Sequence, residues 1–201
     1  EGTLPEDYEL TGDVTEGTVT TLTNTHVPEL TEATVVKVWE DANNQDGKRP
    51  EALTVTLSDG TEVELNEGNN WTAKVENLPK YAGGVEIAYT WTEGTLPEGY
   101  ELTGSATEGT VTTLTNTHTP EETEATVKKV WDDEGNKEGL RPGTAKVKLY
   151  ANGTELQNVE FTGTGDTWST ELSVAKYAGG KAIEYTITEE QVSGYEEPVI
   201  E

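Results

Sequence analysis

The 201-residue sequence carries 39 acidic and 13 basic side chains, a formal net charge of −26, and 32% hydrophobic residues. That balance repels nucleic acid and anionic membranes, which argues against both as partners. Cysteine is absent, ruling out disulfides and thiol chemistry, and no apolar run approaches the roughly 18 residues of a membrane span.

High charge with modest hydrophobicity also describes disordered chains. Five Trp, eight Tyr and long Thr/Val alternations are strand material instead. Methionine is absent and no signal peptide is visible, so Glu1 is not expected to be a translation start.

Taken in order, Glu1–His26 ends in an alternating run, GTVTTLTNT, and passes into a short Pro/acidic stretch, Val27–Leu30, of linker type. Alternating runs follow at ATVVKVW (33–39), LTVTL (53–57), WTAKV (71–75), IAYTWT (87–92) and GTVTTLTNT (109–117). Between them lie SDG (58–60), NEGNN (66–70) and YAGG (81–84), all turn chemistry. A second linker-like stretch, Thr119–Glu122, comes next, and the same pattern then restarts.

The restart is a repeat. Glu1–His26 and Glu93–His118 differ at three positions, and Thr31–Pro50 matches Thr123–Pro142 at the same offset of 92. KYAGG recurs at Lys80–Gly84 and Lys176–Gly180, and YTWTE (89–93) is answered by YTITE (185–189). So long a period suits whole domains in series. The expected organisation is a tail of a preceding module (1–26), one complete module (31–118), and a module lacking its last strand (123–201). Several short strands within about 90 residues indicate an all-β sandwich, with no helical period.

Period-two alternation assigns faces. Val35, Lys37 and Trp39 share one, as do Val127, Lys129 and Trp131; a lysine among apolar neighbours is out of place. Tyr89, Trp91 and Glu93 align, matched by Tyr185, Ile187 and Glu189, and Leu114 aligns with Asn116 as Leu22 does with Asn24. Singly, these are a snorkelling lysine, a strand-capping glutamate and a turn asparagine. Together they are a chemical set. Burial lowers a lysine's pKa and raises a glutamic acid's. A neutral amine can attack the asparagine carbonyl, with the acid polarising it, expelling ammonia and leaving a Lys–Asn isopeptide bond. Among the other lysines, Lys48 is answered by Leu140, while Lys80 recurs as Lys176 but adjoins a YAGG turn and is expected to be solvated.

The combination KVWEDANNQDGKRP (37–50), NNW (69–71), NLPKYAGG (77–84), YTWTE, PEGY (97–100) and TNTH (115–118) resembles the B-type repeat family of the staphylococcal collagen adhesin. That family is found along Gram-positive surface proteins and pilins. The likeness extends over nearly the whole chain, with AKYAGG in the second copy where the first has LPKYAGG. It implies tandem inverse immunoglobulin-like (prealbumin-like) β-sandwich modules and an extracellular, cell-wall location. It also implies an isopeptide bond from Lys37, the nucleophile, to Asn116, the electrophile, with Glu93 as the proton-shuttling acid. Lys129 and Glu189 occupy the same places in the third module, and Glu1 and Asn24 in the first. Nothing after Glu189 supplies the third module's asparagine.

Other signals are weaker. The acidic loops DANNQDG (41–47) and DDEGNKEG (132–139) lack the EF-hand order and read as solvated. His26 and His118 are lone histidines without a second ligand, so no metal or cofactor is expected. Trp residues can form a sugar platform, but sandwich cores bury Trp routinely. No catalytic nucleophile motif is present. The expected function is a structural stalk, with a ligand-binding adhesin module for a host protein or glycan as the alternative and enzymatic turnover unsupported. Expected partners are neighbouring repeats, with possible head-to-tail association in which Asn24 of one copy meets Lys129 of the next.

Overall fold

The computed structural model describes residues 2–200, which divide into two compact units. The first comprises residues up to Val38, Pro50–Leu96 and Leu102–Asn116; the second comprises Trp39–Arg49, Pro97–Glu101 and the residues from Thr117 onward.

In the first unit, β1 (Tyr8–Glu16) and β2 (Val19–His26) form an antiparallel hairpin, Gly17 taking φ +63° in its two-residue turn. Threonines cross-link its faces, Thr11 to Thr25 at 2.7 Å and Thr15 to Thr20 at 2.9 Å. The strands that follow are β3 (Leu30–Glu40), β4 (Ala52–Leu57), β5 (Glu62–Asn66), β6 (Thr72–Pro79), β7 (Tyr81–Ala82), β8 (Val85–Glu86), β9 (Trp91–Glu93), β10 (Glu101–Glu108) and β11 (Val111–Thr117). They make one sheet in the order β10-β11-β3-β6 and another in the order β5-β4-β9, with β7–β8 a small hairpin. Thr34 N–H donates to Thr110 O and His118 N–H to Glu40 O, so partners ascend together and β3 runs parallel to β11.

The alternation predicts these faces correctly. Ala33 and Val35 of β3, Leu53, Val55 and Leu57 of β4, Leu65, Leu78, Trp91 and Leu114 are all buried, contributed by both sheets. The expected strand at 87–92 forms only from Trp91. Ile87 N–H instead reaches Lys80 O (2.9 Å), while Thr90 bonds Ser58 just past the Leu57–Trp91 pair, its O accepting the Ser58 N–H (2.9 Å) and its N–H donating to the Ser58 hydroxyl (3.2 Å).

In the second unit, β12 (Glu122–Val130) pairs antiparallel with β15 (Thr167–Ala175). β13 (Ala145–Ala151) lies between β14 (Thr154–Phe161) and β18 (Tyr185–Glu189), and β16 (Tyr177–Ala178) and β17 (Lys181–Ala182) form the hairpin at the second YAGG turn. Its core is Val127, Trp131, Ala145, Val147, Leu149, Val159, Phe161, Trp168 and Val174.

Candidate functional site

Lys37 and Asn116 come from β3 and β11, adjacent strands of one sheet; Glu93 comes from β9 of the other. Each reaches the interior because it sits in register with buried apolar residues. Lys37 lies two positions after Val35, Asn116 two after Leu114, and Glu93 opposite Val55 in the β4–β9 ladder.

The three side chains meet. Lys37 Nζ lies 2.9 Å from Glu93 Oε1, the two side chains being 0% and 1% exposed. Asn116 Nδ2 donates to Glu93 Oε2 at 2.9 Å, and Lys37 Nζ donates to the Leu114 carbonyl at 3.2 Å. Asn116 is fully buried, and its Oδ1 has no hydrogen-bond partner. Burial holds the Lys37 pKa below the ordinary lysine value, the hydrogen bond and charge of Glu93 only partly offsetting it. Glu93 thus touches both nitrogens of the set, the amine through one oxygen and the carboxamide nitrogen through the other.

In the second unit the pair recurs. Lys129 Nζ lies 2.6 Å from Glu189 Oε2, and Glu189 faces Val147 in its ladder as Glu93 faces Val55. Lys129 also sits 4.6 Å over the Trp131 ring, and its side chain is 18% exposed against 0% for Lys37. Asn24 lies on β2, whose residues are all exposed; Leu22 is 43% exposed, whereas Leu114, at the same place in the repeat, is 1% exposed. Glu1 lies outside the described residues.

The acidic loops are not simply solvated. Asp41 is 2% exposed and accepts both Nε (2.9 Å) and NH2 (2.6 Å) of Arg49, the Tyr100 hydroxyl (2.7 Å) and the Asn44 N–H (2.8 Å). Although its burial acts the other way, these donors pull its carboxyl down to about 2. The set is repeated as Asp133, Arg141, Asn136 and Tyr195. It closes a run of left-handed residues, Ala42, Asn43 and Asn44, and its bonds offset the cost of that backbone. An arginine eight residues after the aspartate, in both copies, is the sequence signal for it. His118 is likewise not isolated: its Nε2 lies 2.8 Å from Asp46, a partner 72 residues away.

Comparison with known proteins places this geometry in context. A family model described as "Cna protein B-type domain" matches residues 33–117 and 125–201. A curated protein named "Collagen adhesin", from Staphylococcus aureus, is 39% identical over 203 residues, covering 97% of this chain; the chain spans 17% of that protein's length. The crystal structure of two B repeat units (B1B2) of the collagen binding protein of Staphylococcus aureus is also similar. It has a TM-score of 0.76 and 39% identity, over 96% of this chain and 52% of that one.

Proposed function

The chain belongs to the Cna protein B-type domain family, and from that premise we propose that it is a stalk segment of a bacterial surface adhesin, stiffened by an internal Lys37–Asn116 isopeptide bond. The observation that carries this reading is Glu93, buried and within 2.9 Å of both nitrogens that exchange places in the reaction.

The step balances without an oxidant or metal. Lys37 Nζ, having passed a proton to Glu93, attacks Asn116 Cγ. Glu93 returns that proton to Nδ2 as the Cγ–Nδ2 bond breaks and ammonia leaves, and its carboxylate then takes the second proton that Nζ sheds on becoming an amide nitrogen. One C–N bond replaces another, and the dry surroundings lower the cost of an uncharged amine. The reaction happens once per module and produces no turnover, in keeping with a family of adhesin repeats.

The mechanical consequence follows from strand order. β3 and β11 run parallel as neighbours, and the proposed amide joins them, so tension passes across it and the 78 residues between Lys37 and Asn116 carry no load. In the loop-entropy picture developed for disulfides, closing that loop stabilises by about 4.5 kcal/mol. A covalent staple of this kind suits a cysteine-free surface protein.

Intact-mass spectrometry tests the reading. The folded protein is expected to weigh one ammonia less than its sequence mass, with the new linkage mapped by proteolysis to Lys37 and Asn116. An unshifted mass in a folded sample rejects the bond.

A further inference from the structure

His118 is 6% exposed, and both its ring nitrogens face oxygen. Nδ1 lies 2.7 Å from the Gly99 carbonyl, which can only accept. Nε2 lies 2.8 Å from Asp46 Oδ2, and that same oxygen already accepts the Glu121 N–H at 2.8 Å. With Asp46 ionised, two acceptors require two N–H groups, and the ring is then an imidazolium.

We infer that His118 and Asp46 form a proton-operated latch holding the Thr117–Glu122 stretch against the Asp41–Arg49 loop. Two bonds from that stretch, one from the His118 ring and one from the Glu121 backbone, converge on the one carboxylate. A neutral ring keeps a single N–H. Whichever nitrogen loses its proton then turns a lone pair toward Gly99 O or toward Asp46, and the buried carboxylate loses its counter-charge.

The groups around the ring favour the closed state. From the loop, Lys48 opposes the imidazolium charge but is itself engaged by Glu121 at 2.7 Å, and Glu121 also holds Lys176 at 2.9 Å. From the Pro97–Glu101 segment, the Tyr100 ring lies 5.2 Å from the His118 ring, its hydroxyl committed to Asp41, which Arg49 neutralises. Glu98 acts on Lys48, and Glu40 accepts the Thr117 hydroxyl at 3.1 Å. The hydrogen bond to Asp46 raises the His118 pKa above 6.5, burial opposing it and the Gly99 carbonyl adding to the rise. A raised value means that the stabilisation is complete below 6.5 and is lost as pH climbs through the folded value.

The arrangement is particular to this place in the chain. His26, at the same position of the TNTH motif, is exposed and stacks on Tyr8 at 5.1 Å, and the counterpart of Asp46 in the second copy is an exposed Glu138.

An NMR pH titration of the 201-residue protein tests the latch. The His118 ring signals and the Glu121 backbone amide are expected to share one midpoint above 6.5. Asp46→Asn should lower the ring's midpoint by about one pH unit or more and uncouple the amide from it. In His118→Phe the Glu121 amide should be flat over that range. A His118 midpoint below 6.5, or a Glu121 amide that ignores the ring's titration, overturns the inference, and the unmodified protein suffices to show either.

Discussion

Replacing Glu93 by Gln keeps the volume of the side chain and removes its charge and its acidity. Lys37, with a side chain 0% exposed, is then left in the core without the carboxylate that favours its charged form. Removing one partner of a buried ion pair costs about 3–5 kcal/mol. Loss of the cross-link removes about 4.5 kcal/mol more, and the sum approaches the whole stability of a typical domain. Lys37→Met alone would leave the Glu93 carboxyl buried without its cation, whereas Lys37→Met combined with Glu93→Gln strands neither group and should unfold at higher denaturant than Glu93→Gln alone.

The two variants also differ in pH response. The folded Lys37 pKa is lowered by burial, and Glu93→Gln removes the opposing negative charge and leaves at most a neutral acceptor, while the unfolded lysine stays near 10.5. The unfolded chain therefore binds more protons across the window beneath 10.5, and stability rises with pH there. The double variant lacks that slope. Denaturant titrations at stepped pH, with intact masses of each variant, measure all of this. A Glu93→Gln protein that still loses ammonia, or that shows no more pH dependence than the double variant, would refute the assigned role of Glu93.

Other expectations concern single sites. The Asp41 carboxyl, held at about 2 against an ordinary 3.8, contributes about 2 kcal/mol that is present above 3.8 and lost as pH falls through the folded value. Arg49→Met should move the acid-unfolding midpoint, followed by circular dichroism, to higher pH; an unmoved midpoint would discount the pair. Leu114→Ala should cost about 2–5 kcal/mol in a denaturant melt and Leu22→Ala under about 0.5 kcal/mol, although the two leucines have the same neighbours in sequence. Single-molecule pulling from the ends of the 31–118 segment should show almost no extension beyond the folded length, against a full unfolding step in Lys37→Ala. A full step in the unmodified protein would discount the shielding.

Much of the fold was legible because period-two alternation and the 92-residue repeat each carry a strong physical signal. Lys37, Glu93 and Asn116 stood out as polar residues on apolar rows, and the structure brings them within hydrogen-bond reach of one another. Asp41, Asp46 and His118 did not stand out, since they lie outside the alternating rows or at a row's end. Their burial depends on partners that sequence spacing does not connect, Tyr100 lying 59 residues from Asp41 and His118 lying 72 from Asp46. The strand expected from 87 begins only at Trp91 because alternation continues through residues whose hydrogen bonds go elsewhere, the Ile87 N–H to Lys80 O and the Thr90 N–H to the Ser58 hydroxyl.

The β1–β2 hairpin and the β10–β11 pair differ at only two residues, Asp13 and Val14 against Ser105 and Ala106, yet one is exposed along nearly its whole length and the other contributes the buried Leu114 and Asn116. Intrinsic amide exchange rates depend on the side chains flanking each N–H, and from Glu16 to His26 those are the same as from Glu108 to His118. The ratio of exchange rates at, say, Leu22 and Leu114 therefore cancels the chemistry of the peptide unit. What remains is the free energy of opening that the surrounding sandwich adds at that position, read residue by residue from one sample.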